Sequence, residues 1–251
     1  MIQLRNYRLV LALALASAAV PTWAGPPLST EDPGILAQGE WEIIGAVTAS
    51  SAGGGDAYQV PLLDVSLGVI TDKVQIAAAY PYVITDPDDG GSESDFGNLS
   101  LGIKWRFWDS GKLQVAFTPG YAFGVTRETA ERGIGEDTDV AAFPLAAEYQ
   151  VNKRWRFNTS VGYVSVDDGE DEWGYGAALA YGLNERWELL VELAGATDTD
   201  FDDDILDVRA GFDFAWTDDV HLLFSAATGL REPRGEDELD YDLYFGVQFF
   251  R

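Results

Sequence analysis

Twelve charged residues stand at alternate positions of strand-like segments, where alternate side chains point to the same face of a strand. If that face encloses a space, these groups would either line a narrow polar passage or pair with one another across it. Hairpin geometry places Glu148 near Arg156 and Glu192 near Arg209, and both interpretations stay open at this point. The candidate lining residues are Glu40, Glu42, Asp64, Lys104, Arg106, Glu148, Arg156, Glu188, Glu192, Asp207, Arg209 and Asp213.

Two acidic segments, residues 86–90 and 198–204, concentrate oxygen ligands within a few positions. Hard divalent cations such as Ca²⁺ prefer carboxylate and carbonyl oxygens, so these segments are candidate metal sites. Neither has the ligand spacing of an EF-hand loop, and runs of acidic residues are usually solvated. We therefore expect a solvated acidic rim and no metal site.

The sequence contains one histidine, His221, the residue type that most often serves as a base in hydrolytic enzymes. It follows a predicted turn at residues 217–219 and belongs to the charged face of its strand. A hydrogen-bonded residue at the rim of the fold is the simpler explanation for it. The sequence has no phosphate-binding glycine loop, haem motif or zinc-binding pattern. We therefore expect no catalytic residues, no cofactor and no enzymatic activity.

The charged positions belong to twelve segments in which apolar and polar residues alternate, as in half-buried strands. Tight turns rich in Asp, Asn and Gly alternate along the chain with longer, more acidic loops. This organisation predicts an all-β fold, an antiparallel up-and-down transmembrane β-barrel with short turns at one rim and long loops at the other. The predicted strands are residues 40–48, 58–69, 73–84, 96–108, 113–125, 140–151, 154–166, 173–183, 187–197, 205–216, 220–230 and 241–250.

The two faces of the predicted strands differ in a way that favours a membrane environment. In the segment 205–216, Leu206 and Phe212 share one face, and Asp207 and Arg209 share the other. The polar faces are too rich in small and charged residues to fill a dry core at native density. We therefore expect the apolar face to meet lipid and the polar face to enclose water.

The first 24 residues have the pattern of a secretory signal peptide, with Arg5 and Arg8 before an apolar run and small residues up to Ala24. The run is shorter than the roughly 20 residues that a transmembrane helix needs. A formal net charge of −26 argues against nucleic acid as a partner. The predicted organisation is a signal peptide at residues 1–24 and one barrel domain at 25–251, with residues 25–39 forming an N-terminal periplasmic segment.

The last predicted strand resembles the C-terminal assembly signal of outer-membrane proteins, with Gly246 followed by Phe249. It departs from that signal by ending on Arg251 instead of an aromatic residue. The resemblance implies the barrel-assembly machinery as a partner during biogenesis. The lipid-facing strands imply outer-membrane lipid and lipopolysaccharide as surroundings, and the expected location is the cell outer membrane.

Several segments together resemble a family of outer-membrane transporters named after the meta-pathway of phenol degradation. The resemblance implies a barrel for the passage of small molecules, with hydrophobic or aromatic compounds among the candidate solutes, and it implies no particular functional residues. The segments that carry it are Pro27-Leu28-Ser29-Thr30-Glu31-Asp32 with Gly39-Glu40-Trp41-Glu42, Ile70-Thr71-Asp72-Lys73-Val74-Gln75-Ile76 with Tyr80-Pro81-Tyr82, and Leu101-Gly102-Ile103-Lys104-Trp105-Arg106-Phe107.

Two functional hypotheses follow. The first is an outer-membrane transporter or narrow channel for a small-molecule solute. The alternative is a structural or surface-binding barrel whose lumen is plugged. The sequence leaves open whether residues 25–38 enter the lumen, and that question separates the two hypotheses.

Overall fold

The computed structural model describes residues 25–70, 72–87, 90–201, 203–231 and 239–251, so the predicted signal peptide lies outside the described residues. In these ranges, no helix is long and apolar enough to cross a membrane. The described elements are the strands β1 (Trp41–Ala52), β2 (Gly55–Ile70), β3 (Val74–Pro87), β4 (Glu93–Phe96), β5 (Ser100–Asp109), β6 (Leu113–Phe117), β7 (Gly120–Ala122), β8 (Val140–Gln150), β9 (Trp155–Val166), β10 (Glu172–Gly182), β11 (Trp187–Asp198), β12 (Asp204–Ala215), β13 (Val220–Arg231) and β14 (Leu239–Phe250), and the helix α1 (Arg127–Ala130).

All the described strands form a single antiparallel sheet that closes on itself. The first strand β1 pairs with the last strand β14, from Glu42 opposite Phe250 to Ala52 opposite Leu239. The segments β4 and β5 both pair with β3, and β6 and β7 both pair with β8, so each of these two couples is one interrupted barrel strand. The described strands therefore make a closed barrel of twelve antiparallel strands, which confirms the predicted fold.

The rim with the tight turns, here called the short-turn rim, uses the turn chemistry expected from the sequence. The side-chain oxygen of Asn152 accepts a 2.9 Å hydrogen bond from the N–H of Arg154. In the next turn on this rim, Asn184 accepts the same 2.9 Å bond from the N–H of Arg186. These side chains replace main-chain partners in the turn, which is why Asn is favoured there. The opposite end of the barrel is called the long-loop rim.

The outer surface of the barrel carries the large apolar side chains. Trp105 is 50% exposed, Leu101 is 42% exposed and Trp216 is 59% exposed. A soluble protein does not leave such a continuous apolar surface in contact with water. Because closure also satisfies the strand edges, the barrel has the two properties that a membrane-spanning sheet requires. The observed surface therefore supports the outer membrane as the location.

The plug segment, defined as residues 25–38, lies inside the lumen. The sequence suggested a periplasmic position for residues 25–39, whereas the structure places only the end of this stretch at the short-turn rim. Pro26, Pro27 and Pro33 lack N–H groups and disfavour a continuous strand. The remaining main-chain polar groups still need partners when they are buried, and the polar lumen wall supplies them.

Candidate functional site

The innermost part of the plug segment is held by two buried wall residues. The N–H groups of Ser29 and Thr30 both donate to the carboxylate of Glu192 on β11, and the Ser29 bonds are 3.0 Å long. The hydroxyl of Ser225 on β13 donates a 2.6 Å hydrogen bond to the carbonyl oxygen of Pro27. Glu192 is 1% exposed and Ser225 is fully buried. Hydrogen bonds that are shielded from water in this way are stronger than exposed ones. These bonds therefore anchor residues 27–30, here called the tip of the plug segment.

The lower part of the plug segment packs against β2 and β3. The N–H of Leu36 donates a 3.1 Å hydrogen bond to the side-chain oxygen of Gln75. Gly68 lies where the main chain of Ala37 crosses β2, and a Cβ at Gly68 would stand 2.8 Å from the carbonyl carbon of Ala37. The absence of a side chain at this position is therefore required for the plug segment to lie against the wall.

An arginine on β12 contacts both wall residues that hold the plug segment. The guanidinium group of Arg209 lies 3.3 Å from the carboxylate of Glu192 and 2.6 Å from that of Asp242. It also donates a 3.2 Å hydrogen bond to the hydroxyl of Ser225. This cluster, the Arg209 cluster, compensates two carboxylates inside the barrel and fixes the same two residues that hold the plug segment.

A second arginine cluster joins residues of β8, β9 and β11 nearer the short-turn rim. The guanidinium group of Arg156 lies 3.1 Å from the carboxylate of Glu148 and also pairs with Glu188. The pairs Glu148–Arg156 and Glu192–Arg209, which hairpin geometry predicted, are therefore both present. Each arginine also pairs with a second carboxylate, Glu188 for Arg156 and Asp242 for Arg209. Hairpin geometry did not predict these additional pairs.

A cavity of about 340 Å³ remains between the plug segment and the wall on the short-turn side. Its lining carries more acidic than basic side chains, and apolar groups from the plug segment and the wall complete it. The charged and titratable side chains that line it are Asp32, Glu42, Asp64, Lys104, Arg156, Glu188, Asp213 and His221. The cavity is thus a space with an excess of carboxyl groups, suited to attracting cations.

The inner wall also contains two apolar patches. Val140, Ala142 and Val164 form one buried cluster with Ala122 near the long-loop rim. A second cluster contains Ile44, Ala46 and Leu223, with Leu62 and Tyr244 packed against it. The simple expectation of a polar inner face did not include these patches. They make part of the lumen wall compatible with apolar groups.

The loop between β7 and β8 folds over the inner side of the long-loop rim. The side-chain amide of Asn98 donates to the carbonyl oxygens of Phe123 and Glu136, at 2.8 and 2.9 Å, and its oxygen accepts a 2.9 Å bond from the N–H of Glu136. The guanidinium group of Arg132 lies 2.6 Å from the carboxylate of Asp95. These contacts hold a loop of defined structure at the mouth of the barrel.

This loop is expected to dock more tightly at low pH. Burial, with a smaller contribution from the nearby charge of Asp137, raises the pKa of Glu136 from 4.5 to about 7. The docked loop therefore binds a proton that the free loop releases, so its extra stability is complete below pH 4.5 and is lost as the pH rises through about 7. Amide hydrogen exchange in residues 125–136, corrected for intrinsic rates, should be several-fold slower at pH 5 than at pH 8.

A Glu136→Gln variant should lose this pH dependence and remain protected at both pH values. Glu128→Gln, at an exposed position of α1 in the same loop, is the matched control and should behave like the original protein. Equal protection of the loop at pH 5 and pH 8 in the original protein would contradict the prediction.

The predicted lining residues do not all occupy the same environment. Glu40 is exposed at the short-turn rim, where its carboxylate accepts a 2.9 Å bond from the N–H of Ala37. Arg106 also lies at this rim, 3.7 Å from the carboxylate of Asp109. Asp207 is half-buried on the same face of β12 as Arg209. Six other predicted residues line the cavity: Glu42, Asp64, Lys104, Arg156, Glu188 and Asp213. The remaining three belong to the two arginine clusters: Glu148, Glu192 and Arg209.

Sequence reasoning missed other residues that shape the lumen. Asp242 and Gln248 alternate with the apolar residues of the last strand, so the same parity argument could have included them. Ser225 was overlooked because it is small and uncharged. Asp32, whose carboxylate lies 3.5 Å from the ammonium group of Lys104, belongs to an irregular segment with no periodicity to reveal its direction.

The candidate base His221 has a structural environment that accounts for it. Its Nδ1 atom lies 2.8 Å from a carboxylate oxygen of Asp213, and its ring meets the edge of Phe250. Within the described ranges, no hydroxyl group lies within hydrogen-bonding distance of this imidazole. In the same ranges, no group of three or more His, Cys, Asp or Glu side chains is arranged to hold a metal ion.

A closed barrel of twelve strands with an apolar outer surface and a polar cavity defines the class of outer-membrane channel folds. Comparison with known proteins then gives the family. A model of the family described as "Putative MetA-pathway of phenol degradation" matches residues 48–234, so the chain belongs to this family. The family resemblance read from the sequence is thereby confirmed. A search of curated protein sequences finds no significant match.

Solved structures with the same fold include several outer-membrane proteins. An outer-membrane channel from Pseudomonas putida F1 is 14% identical, with 88% of this chain and 98% of that chain covered and a TM-score of 0.69. The NanC porin is 10% identical, with coverages of 83% and 98% and a TM-score of 0.58. The CymD monoaromatic hydrocarbon channel is 10% identical, with coverages of 86% and 89% and a TM-score of 0.50. At these identities the similarity shows the fold.

Proposed function

We propose that the protein is a narrow outer-membrane channel for small molecules, whose aperture is limited by the plug segment. The observation that carries this proposal is a closed barrel that keeps a cavity of about 340 Å³ beside an irregular segment. The plug segment is bound to the wall through hydrogen bonds and one ion pair, not as a strand of the sheet. It can therefore change position without breaking the barrel.

The proposed solutes are hydrophobic or aromatic compounds. The inner wall contains two buried apolar clusters, which are compatible with solutes of this chemistry. The name of the family refers to phenol degradation, and one structure of the same fold is described as a monoaromatic hydrocarbon channel. These facts support an aromatic solute class without identifying a particular compound.

The test combines solute uptake by cells with conductance in planar bilayers. A strain that lacks the protein should take up radiolabelled phenol, toluene or another small aromatic compound more slowly at low external concentration. Complementation with the original protein should restore the rate, and complementation with an unrelated twelve-stranded porin should not. No conductance in planar bilayers combined with unchanged uptake in the deletion strain would refute the channel proposal.

The acidic excess of the cavity predicts a preference for cations in bilayer recordings. A Glu188→Gln and Asp213→Asn double variant removes two carboxyl groups from the lining and should shift the reversal potential in a salt gradient towards zero. The effect should be larger at 0.1 M than at 1 M salt, because the Debye length falls from about 10 Å to about 3 Å. A Glu170→Gln and Asp200→Asn variant removes two exposed loop charges and should change the selectivity little. Anion preference in the original protein would contradict this expectation.

A structural or surface-binding barrel is the second candidate, and the plug segment in the lumen is the observation that favours it. In that case the plug segment would never leave, and variants that release it would gain no physiological transport. We further propose that the barrel has no enzymatic role, since the contacts of His221 are those of a structural residue. Lipopolysaccharide at the long-loop rim and the assembly machinery acting on the last strand remain proposed partners.

A further inference from the structure

Gly25, the first residue after the predicted cleavage point, lies in the acidic cavity of the barrel. A Cβ atom added to Gly25 would stand 2.8 Å from Cγ of Asp32. Standard bond geometry puts the nitrogen of Gly25 about 2.5 Å from that point, so it lies within roughly 5.3 Å of the carboxyl carbon in any orientation. The nitrogen of Gly25 is therefore near enough to the Asp32 carboxylate to form an ion pair after a small rotation of the Asp32 side chain or of the Gly25 backbone.

The surroundings of this nitrogen favour a positive charge. Asp32 has one cationic partner in the described residues, Lys104, and the two charged groups are 3.5 Å apart. The second oxygen of Asp32 accepts a 2.6 Å hydrogen bond from the N–H of Gly34, which fixes the direction of the carboxylate. The same cavity is lined by further carboxyl groups, including Glu188 and Asp213, so a cation near Gly25 would be stabilised by several of them.

We propose that the α-ammonium group of Gly25, created when the signal peptide is removed, forms an ion pair with Asp32 and thereby seats the plug segment in the lumen. A nitrogen in a peptide bond carries no charge, so the uncleaved chain cannot form this pair. Export processing would then also be the step that completes the plug. A free α-amino group has a pKa near 8, so it is charged at neutral pH.

Gly25 packs closely against the side chain of Asp32. A Cβ atom at this position would stand 2.8 Å from Cγ of Asp32, so a larger residue would push the carboxylate away from its present position. A signal peptidase site requires small residues before the cut, here Thr22 and Ala24, and makes no demand on Gly25. Glycine therefore allows the Asp32 carboxylate to stay beside the new N-terminus.

The mass of the purified protein is measured first, because the proposal depends on cleavage after Ala24. A mature chain that starts at another residue would overturn it. The test then uses a variant with Ala-Ser inserted between Ala24 and Gly25, which keeps the cleavage point and moves the ammonium group by up to about 7 Å. Heat-modifiable migration on gels verifies that each variant forms the barrel.

The main measurement is the rate at which a selective reagent labels the N-terminal amine at pH 7. We expect at least tenfold slower labelling in the original protein than in the extended variant or in Asp32→Asn. Asp218→Asn, at an exposed position on the same rim, should leave the original rate unchanged. Equal labelling rates in the original protein and Asp32→Asn would overturn the proposal.

A double-mutant cycle separates this ion pair from a general loosening of the plug segment. Single-channel conductance should rise to a similar value with the extension, with Asp32→Asn and with both changes together, because both remove the same pair. Effects that simply add would overturn the proposal. The labelling rate requires no transported solute, so failure of the channel function and failure of this inference can be told apart.

Discussion

Single-channel conductance should rise several-fold when residues 26–38 are removed and Gly25 is joined to Gly39. The deleted stretch contributes hydrogen bonds to the lumen wall but no strand to the sheet, so the barrel should still close. Glu192 would lose the N–H donors of Ser29 and Thr30 but would keep its ion pair with Arg209. Planar bilayer recording and liposome swelling with small sugars would both report the wider lumen.

A reversible lock provides the matching control for this deletion. A Cβ at Gly176 would lie 3.1 Å from Cβ of Thr30, close to the roughly 3.5–4.5 Å spacing found in disulfides. Because the sequence has no cysteine, a Thr30→Cys and Gly176→Cys variant would contain one possible disulfide. When this disulfide is formed by oxidation, conductance should be at or below that of the original protein. Reduction of the disulfide should return conductance to the original level. An unchanged conductance in the deletion variant would mean that current does not pass through the lumen.

Replacing Arg209 by methionine should lower the free energy of unfolding by about 3–5 kcal/mol, the range observed when one member of a buried ion pair is removed. The change leaves the carboxylates of Glu192 and Asp242 without their cation inside the barrel. It also weakens the anchor of the plug segment, so conductance should become noisier. Urea unfolding in liposomes, followed by tryptophan fluorescence, measures the stability.

An exposed arginine supplies the comparison for Arg209. Arg127 on α1 pairs with Glu131, and both side chains are more than half exposed. Arg127→Met should therefore change stability by less than about 1 kcal/mol. Adding Glu192→Gln to the Arg209→Met variant should recover part of the loss, because one unpaired carboxylate is then removed. If Arg127→Met and Arg209→Met cost the same, the Arg209 cluster does not stabilise the barrel.

The strands and their faces could be predicted because apolar and polar residues alternate along each strand. The outer face of every strand meets the same environment, the lipid. On β12, Leu206 and Phe212 point outward while Asp207 and Arg209 point inward, and the parity of one residue fixes the rest. The tight turns were also predictable, since Asn152 uses purely local chemistry. Strand number and lipid exposure follow from these local rules.

The interior could not be predicted in the same way, because its contacts join distant parts of the chain without periodicity. Nothing in the sequence around Ser29 indicates that its N–H will meet Glu192, 163 positions later. The apolar residues Ile44 and Leu223 face inward and pack together near the junction of β1 and β14, a contact that the alternation of their strands does not predict. The candidate site depended on these nonlocal contacts, so only its charged wall was predicted.

The seam between β1 and β14 has a consequence for the order of assembly. Trp41 and Arg251 exchange main-chain hydrogen bonds of 2.7 and 2.9 Å, so the pairing that closes the barrel extends from β14 to Arg251. The tip of the plug segment depends on Ser225, which follows Pro27 by 198 positions. The binding place of this tip therefore exists only after β11 and β13, which supply Glu192 and Ser225, have joined the sheet. The plug segment can therefore occlude the lumen only late in folding, although it precedes every strand of the barrel in the sequence.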